Sequence, residues 1–225
     1  MGKNDSVMAK EQLTPQDSRY ISVSSNVDAE LTVKRSRFIA SIRRALNRQE
    51  FDEKFHEITQ MYPKASSYCW GYRFNATGII EHSSDAGEPS GTAGRPILGS
   101  LKKHSLLNTM AVVTRYYGGI KLGVKGLIEA FGDSVLKAIE ESELKTFEPY
   151  SEINLLLAYD LYNILLSRLS NYGITASDIK SSFETIITVE IPVPRAILKT
   201  VIDDIQSISP NKESCSFTIR DIEDR

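Results

Sequence analysis

At 225 residues, with 41% hydrophobic and 25% charged, the chain has the composition of an ordinary globular protein, with room for one large domain or two small ones. No run approaches the roughly 20 apolar residues of a membrane span, and MGKNDSVMAKEQ lacks the apolar centre of a signal peptide, so a cytoplasmic protein without a membrane partner is expected. The net charge of −2 conceals an asymmetry: residues 18–145 hold 18 Lys+Arg against 14 Asp+Glu, and residues 146–225 hold 7 against 12, a basic excess too small to argue a nucleic-acid partner by itself.

Residues 1–17 are polar and aperiodic, and the pattern predicts a mobile tail. Tyr20–Val23, Leu31–Val33 and Arg37–Ile42 alternate as strands, and an antiparallel pairing is expected among them. Asn47 followed by Glu50 makes a capping-box-like start for a helix carrying Phe51, Phe55 and Ile58, which Tyr62-Pro63 stops. Ser67–Phe74 reads as an aromatic strand, Thr109–Thr114 as a buried one. A helix over Val124–Glu143 places Val124, Leu127, Ile128, Phe131, Val135 and Ile139 on one apolar stripe.

Past Glu148-Pro149-Tyr150 the pattern tightens. Strands are predicted at Ile153–Tyr159, Ile174–Ile179, Phe183–Ile191 and Cys215–Ile219. One helix, capped by Asp160, ends at Gly173, and another starts near Pro194 and carries Leu198, Val201, Ile202 and Ile205. That order, βαββαβ, is the ferredoxin-like split βαβ arrangement. The fold class is thus α+β, with residues 1–17 as tail, 18–147 as one domain and 148–225 as the other.

Two glycine-studded segments, DAGEPSGTAGRP and RYYGGIKLG, flank the buried strand. Gly87, Gly91 and Gly94, with Pro89 and Pro96 between them, suit neither helix nor strand interiors and predict a shaped loop. Asp85, Glu88, Ser90, Thr92 and Arg95 would let that loop hold an anion, a metal, or itself through side-chain-to-backbone bonds. The second segment turns through Gly118-Gly119 and puts Lys121 before a helix N-terminus, a natural anion site. Tyr116 and Tyr117 beside Arg115 and Lys121 have the chemistry to stack on bases and meet phosphates; the alternative is a core tyrosine and an Arg115 paired with Asp85 or Glu88.

Several chemistries fail. Gly118 and Gly123 have phosphate-loop spacing, but Val124 stands where the lysine belongs. Ser90 lacks a nucleophile-elbow context, and His56, His82 and His104 sit in no recognised catalytic motif. His82, Asp85 and Glu88 would share a metal only on a helix that Gly87 and Pro89 forbid. Cys69 and Cys215, in apolar segments far apart, read as buried reduced thiols.

DAGEPSGTAGRPIL, then AVVTRYYGGIKLG, then GLIEAF resemble the signature of the YigZ/IMPACT family in its two-domain bacterial form, over residues 18–225. The resemblance implies an N-terminal α/β domain similar to the second domain of a small-subunit ribosomal protein and to the fourth domain of elongation factor G. It implies a C-terminal domain like that factor's fifth. It carries over Asp85, Gly87, Glu88, Gly91, Thr92, Gly94, Pro96, Arg115, Tyr116, Gly118, Gly119, Lys121, Leu122 and Gly123; with Tyr117 these form the expected binding set, with no catalytic residue, metal or cofactor.

The eukaryotic members bind a ribosome-associated activator of a starvation-responsive kinase. For this chain the implication is a non-catalytic module regulating translation through contact with the ribosome, RNA or a translation-associated protein. The alternative is a small-molecule or metal-dependent hydrolase using the Asp85–Gly123 cleft. Three positions depart from the family pattern: Ser67 stands where histidine is usual, Lys125 where glycine is, and Glu129 where a basic residue is.

Overall fold

The computed structural model describes residues 19–75, 78–208 and 215–222, so the tail expected over residues 1–17 lies outside the described residues. One compact unit is Arg19–Phe147; a second contains Glu148–Arg225.

The first unit runs β1 (Tyr20–Val23), β2 (Val27–Val33), β3 (Ser36–Arg44), α1 (Arg48–Met61), β4 (Ser67–Asn75), β5 (Ile79–Ser84), α2 (Gly94–Lys103), β6 (Thr109–Tyr116), α3 (Gly123–Glu140) and β7 (Leu144–Phe147). Its main sheet is antiparallel throughout, in the order β2-β3-β6-β4-β5. Strand β6 lies at the centre because it is apolar on both faces. Ala111 and Val113 join Phe38, Ile97, Leu101, Phe131 and Val135 in one core, while Met110 and Val112 join Phe51, Ile58, Tyr72 and Phe74 in another. The two-residue period of a strand divides these neighbours between helices α2 and α3 on one side and α1 on the other.

Helix α1 starts where the capping signal places it. Asn47 Oδ1 accepts from the Glu50 N–H at 3.0 Å, and Glu50 Oε2 accepts from the Leu46 N–H at 3.2 Å. Replacing exposed Asn47 with alanine removes one acceptor from the first turn and is expected to cost about 1 kcal/mol. Urea unfolding read by the single tryptophan, Trp70, checks this; an unchanged midpoint means the cap contributes nothing.

The structure corrects several expectations in this unit. The expected antiparallel pairing holds between β2 and β3, whereas β1 pairs with β7; neither β7 nor β5 was anticipated from the pattern. Strand β5 hides because it is a sheet edge whose Ile79 and Ile80 face outward, so burial imposes no alternation. Gly94 and Pro96, expected in the loop, belong to the first turn of α2, where proline's missing N–H has no helical acceptor to lose. Helix α3 ends at Glu140 rather than Glu143. Its buried face is Leu127, Ala130, Phe131, Ser134, Val135, Ala138 and Ile139, which leaves Val124 62% and Ile128 41% exposed.

The second unit follows β8 (Tyr150–Leu157), α4 (Tyr159–Ser170), β9 (Lys180–Phe183), β10 (Ile187–Pro194), α5 (Leu198–Ile208) and β11 (Cys215–Ile222). The sheet order β11-β8-β10-β9, all antiparallel, gives a split βαβ topology. Ile153, Leu155 and Leu157 of β8 and Val189, Ile191 and Val193 of β10 pack with Leu165, Leu169, Val201 and Ile205 from the helices.

Local details differ here as well. Asp160 lies within α4, whose N-cap is Ala158 and which has no side-chain cap bond. Ile174 and Ile179 are buried but lie in the irregular segment before β9, where Asp178 Oδ2 accepts from the backbone N–H and hydroxyl of Thr175. Pro194 closes β10 and precedes a single 3-10 turn, Arg195–Ile197, before α5. Cys215 is half-buried, not fully buried. Among the described residues no helix is long and apolar enough to cross a membrane.

Candidate functional site

The site is assembled where β3, β4 and β6 end together, under the Asp85–Ala93 loop and beside the turn that leads into α3. Register sets the first contacts: Arg115 of β6 lies opposite Phe38 of β3 and Ser67 of β4. The loop drops Glu88 onto these neighbours. Glu88 Oε1 accepts from Ser67 Oγ at 2.8 Å, and Oε2 accepts from Arg115 Nη1 at 2.5 Å. Both partners of that ion pair are buried, with side chains 9% and 8% exposed. Of the two pairings the sequence left open for Arg115, the structure selects Glu88. The guanidinium also lies over the rings of Phe38, at 5.5 Å, and Tyr117, at 5.3 Å.

Asp85 organises the loop itself. Its Oδ2 accepts from the Gly91 N–H at 2.8 Å, and its Oδ1 from the Ala93 and Gly94 N–H groups at 3.0 and 2.9 Å. Burial pushes the Asp85 carboxyl up, but the bonds from Gly91, Gly94 and Ala93, with Arg95 nearby, outweigh it and hold the carboxyl below its usual range. Thr92 Oγ1 donates to the Pro89 carbonyl at 2.7 Å. The Cys69 thiol donates to the Asp85 carbonyl at 3.0 Å, and burial pushes its pKa up to about 12, so it remains a protonated thiol rather than a nucleophile.

Two glycines are required by space or conformation. A Cβ at Gly118 would lie 2.2 Å from the Arg35 backbone carbonyl, so the β6–α3 turn packs directly against the β2–β3 turn. Gly87 has a φ of +91°, which a side chain rarely adopts. The β2–β3 turn is formed by exposed Lys34 and Arg35, both at positive φ.

The expected residues separate into three groups. Glu88, Arg115, Tyr117, Lys121, Leu122 and Gly123 come together, with Pro89, Val124 and Leu127, around a pocket of about 480 Å³. Asp85, Gly91, Thr92 and Gly94 are absorbed by the loop's own hydrogen bonds. Gly87, Pro96, Tyr116, Gly118 and Gly119 do not line the pocket. Tyr116 Oη donates to the Pro63 carbonyl at 3.1 Å, and neither Tyr116 nor Tyr117 is a core residue.

Sequence reasoning missed Val124 and Leu127 as pocket walls by assigning both to the helix core; Leu127 is both. It also missed Ser67 as the second donor to Glu88, which is visible only through strand register. None of the three histidines lines the pocket: His56 is exposed on α1, His82 faces the Tyr72 ring at 5.6 Å, and His104 Nδ1 contacts the Ser100 carbonyl oxygen at 2.9 Å. No group of three or more metal-ligating side chains occurs among the described residues.

Residues 34–139, which carry all of this geometry, match the Impact N-terminal domain. IMPACT family member YvyE of Bacillus subtilis is 42% identical over 120 residues, covering 53% of this chain and 55% of that protein. IMPACT family member YigZ of Escherichia coli is 33% identical over 129 residues, covering 56% and 63%. The chain thus spans somewhat over half the length of these curated relatives. A solved structure described as a hypothetical protein is 25% identical, with a TM-score of 0.62 over 91% of this chain and 98% of that one. The first unit thus carries an Impact N-terminal domain and is similar over that stretch to curated IMPACT family members.

Proposed function

We propose that this protein is a non-catalytic binding module that regulates translation through contact with the ribosome, its RNA or a protein bound there. One observation carries the reading: Asp85 and Thr92 of the glycine-rich loop are engaged with its own backbone and Glu88 with Ser67 and Arg115, while the groups turned outward around the pocket are apolar and cationic. Tyr117, Ile120, Val124 and Ile128 are exposed large hydrophobics, interleaved with exposed Lys121 and Lys125. Loosely paired charges over an apolar patch suit a macromolecular contact better than turnover. Similarity to the IMPACT family supports the same reading, as do the likenesses it implies to a ribosomal protein domain and to two domains of elongation factor G.

Co-sedimentation of the full chain with purified ribosomes tests it. The pelleted fraction is expected to fall as salt rises, and to fall further in the Lys121→Ala, Lys125→Ala double variant. Lys125 is 90% exposed, and its 3.7 Å contact with Glu129 is worth little, so the variant folds normally. Absence of pelleting at low ionic strength overturns the proposal.

A further inference from the structure

The pocket beside Arg115 has an occupant chemistry written into its walls. Helix α3 is 18 residues long, its N-cap residue Leu122 provides no side-chain cap bond, and its first turn holds no acidic residue. Its leading N–H groups and partial positive charge are thus available to an anion. A second feature is independent of the helix. Arg115 forms part of the pocket wall with its side chain about nine-tenths buried, yet among the described residues Nη1, bonded to Glu88, is its one hydrogen-bonded guanidinium nitrogen, and Nε is buried without a partner. A guanidinium presents five donors, and Glu88 uses one.

The remaining walls are Pro89, Tyr117, Leu122, Val124 and Leu127 with Lys121, Gly123 and Glu88, whose carboxylate is taken up by Arg115 and Ser67. Arg115 lies over the Tyr117 ring, and Tyr117 is still 46% exposed, so ring surface is left for a ligand to contact. Lys121, which lines the pocket, is exposed and makes no ion pair among the described residues, so it brings an uncompensated cation to the site. An aromatic platform and apolar floor beside a phosphate-binding helix terminus fit a ligand with a flat, weakly polar body and an adjacent phosphate.

We propose that this pocket binds one unstacked nucleotide, its base on Tyr117 and its phosphate at the α3 N-terminus beside Lys121. The inference rests on the RNA form of the function proposed above and narrows it to one nucleotide in one pocket. The nucleotide belongs either to a single-stranded RNA or to a free nucleoside monophosphate. Both present the same base and phosphate.

The test is fluorescence anisotropy of the full chain with a labelled short single-stranded oligoadenylate, competed by AMP, inorganic phosphate or an acidic peptide. Tyr117→Ala is expected to weaken oligoadenylate binding about tenfold while Tyr117→Phe retains it, and Lys121→Ala is expected to lower the salt slope by about one. Competition by AMP well below the phosphate concentration that competes supports the site; AMP binding without oligoadenylate binding assigns it to free nucleotides. Oligoadenylate binding indifferent to Tyr117→Ala overturns the proposal, as does displacement by the acidic peptide and not by AMP. If neither nucleotide probe binds but ribosomes still pellet the protein, the pocket assignment falls and the translational function stands; Tyr117-dependent nucleotide binding without pelleting gives the reverse.

Discussion

Replacing Glu88 with alanine is expected to destabilise the first unit by about 3–5 kcal/mol, the cost of leaving one partner of a buried ion pair uncompensated. The substitution removes the 2.5 Å bond to Arg115 and the 2.8 Å bond from Ser67 together. What remains is a guanidinium about nine-tenths buried, with Nε already lacking a partner, enclosed by Phe38 and Tyr117. The loss thus exceeds the net worth of the pair, because most of it is the penalty on Arg115. A double variant, Glu88→Leu with Arg115→Met, is expected to recover much of the stability by removing both charges. Trp70 lies in β4 of the same unit and reports its urea unfolding without interference from another tryptophan. A Glu88→Ala loss below about 1 kcal/mol would place the pair among solvated surface bridges and reject its role as the anchor of the loop.

That anchor shows where sequence patterns carry structural information and where they stop. Strand β6 was legible because Val112-Val113-Thr114 is a β-branched run, and α1 because its cap and stop signals are local. The alternation and turn residues of the second unit likewise point to its βαββαβ order, although Ile174 and Ile179 were assigned to a strand when they are buried from an irregular segment. Helix α2 was hidden for a physical reason: its first turn contains glycine and proline, and the carboxylate serving that turn comes from Asp85, eight to nine residues upstream. No short window contains that contact. The exposure of Val124 and Ile128 was missed because alanines and Ser134 supply much of the buried face of α3, moving it away from the larger side chains. Within the site, the candidate partners of Arg115 were legible from charge alone. The choice of Glu88, the part of Ser67 and the pocket itself depend on the register between β4 and β6.

Asp85 leads to a different prediction, one that depends on pH. Asp85→Asn is expected to cost about 2–3 kcal/mol at neutral pH, since the carboxylate accepts three backbone N–H bonds and the amide would present a donor to part of that ring. The folded-state carboxyl is held below its ordinary value because the N–H bonds outweigh the opposing effect of burial. A depressed carboxyl contributes stability in full above its unfolded pKa of about 3.9 and loses it as pH falls through the folded value. The gap between wild type and Asp85→Asn is therefore widest near neutrality and closes in acid. Urea titrations of both proteins from about pH 7 to about pH 2 measure it directly. A gap constant across that range would mean that the loop is held by shape alone. A gap that closes means that one ionised side chain fixes Gly91, Ala93 and Gly94, and with them the start of α2. Glu88 then reaches Arg115 from a loop whose shape is set before any partner arrives, so the pocket beside it is preorganised.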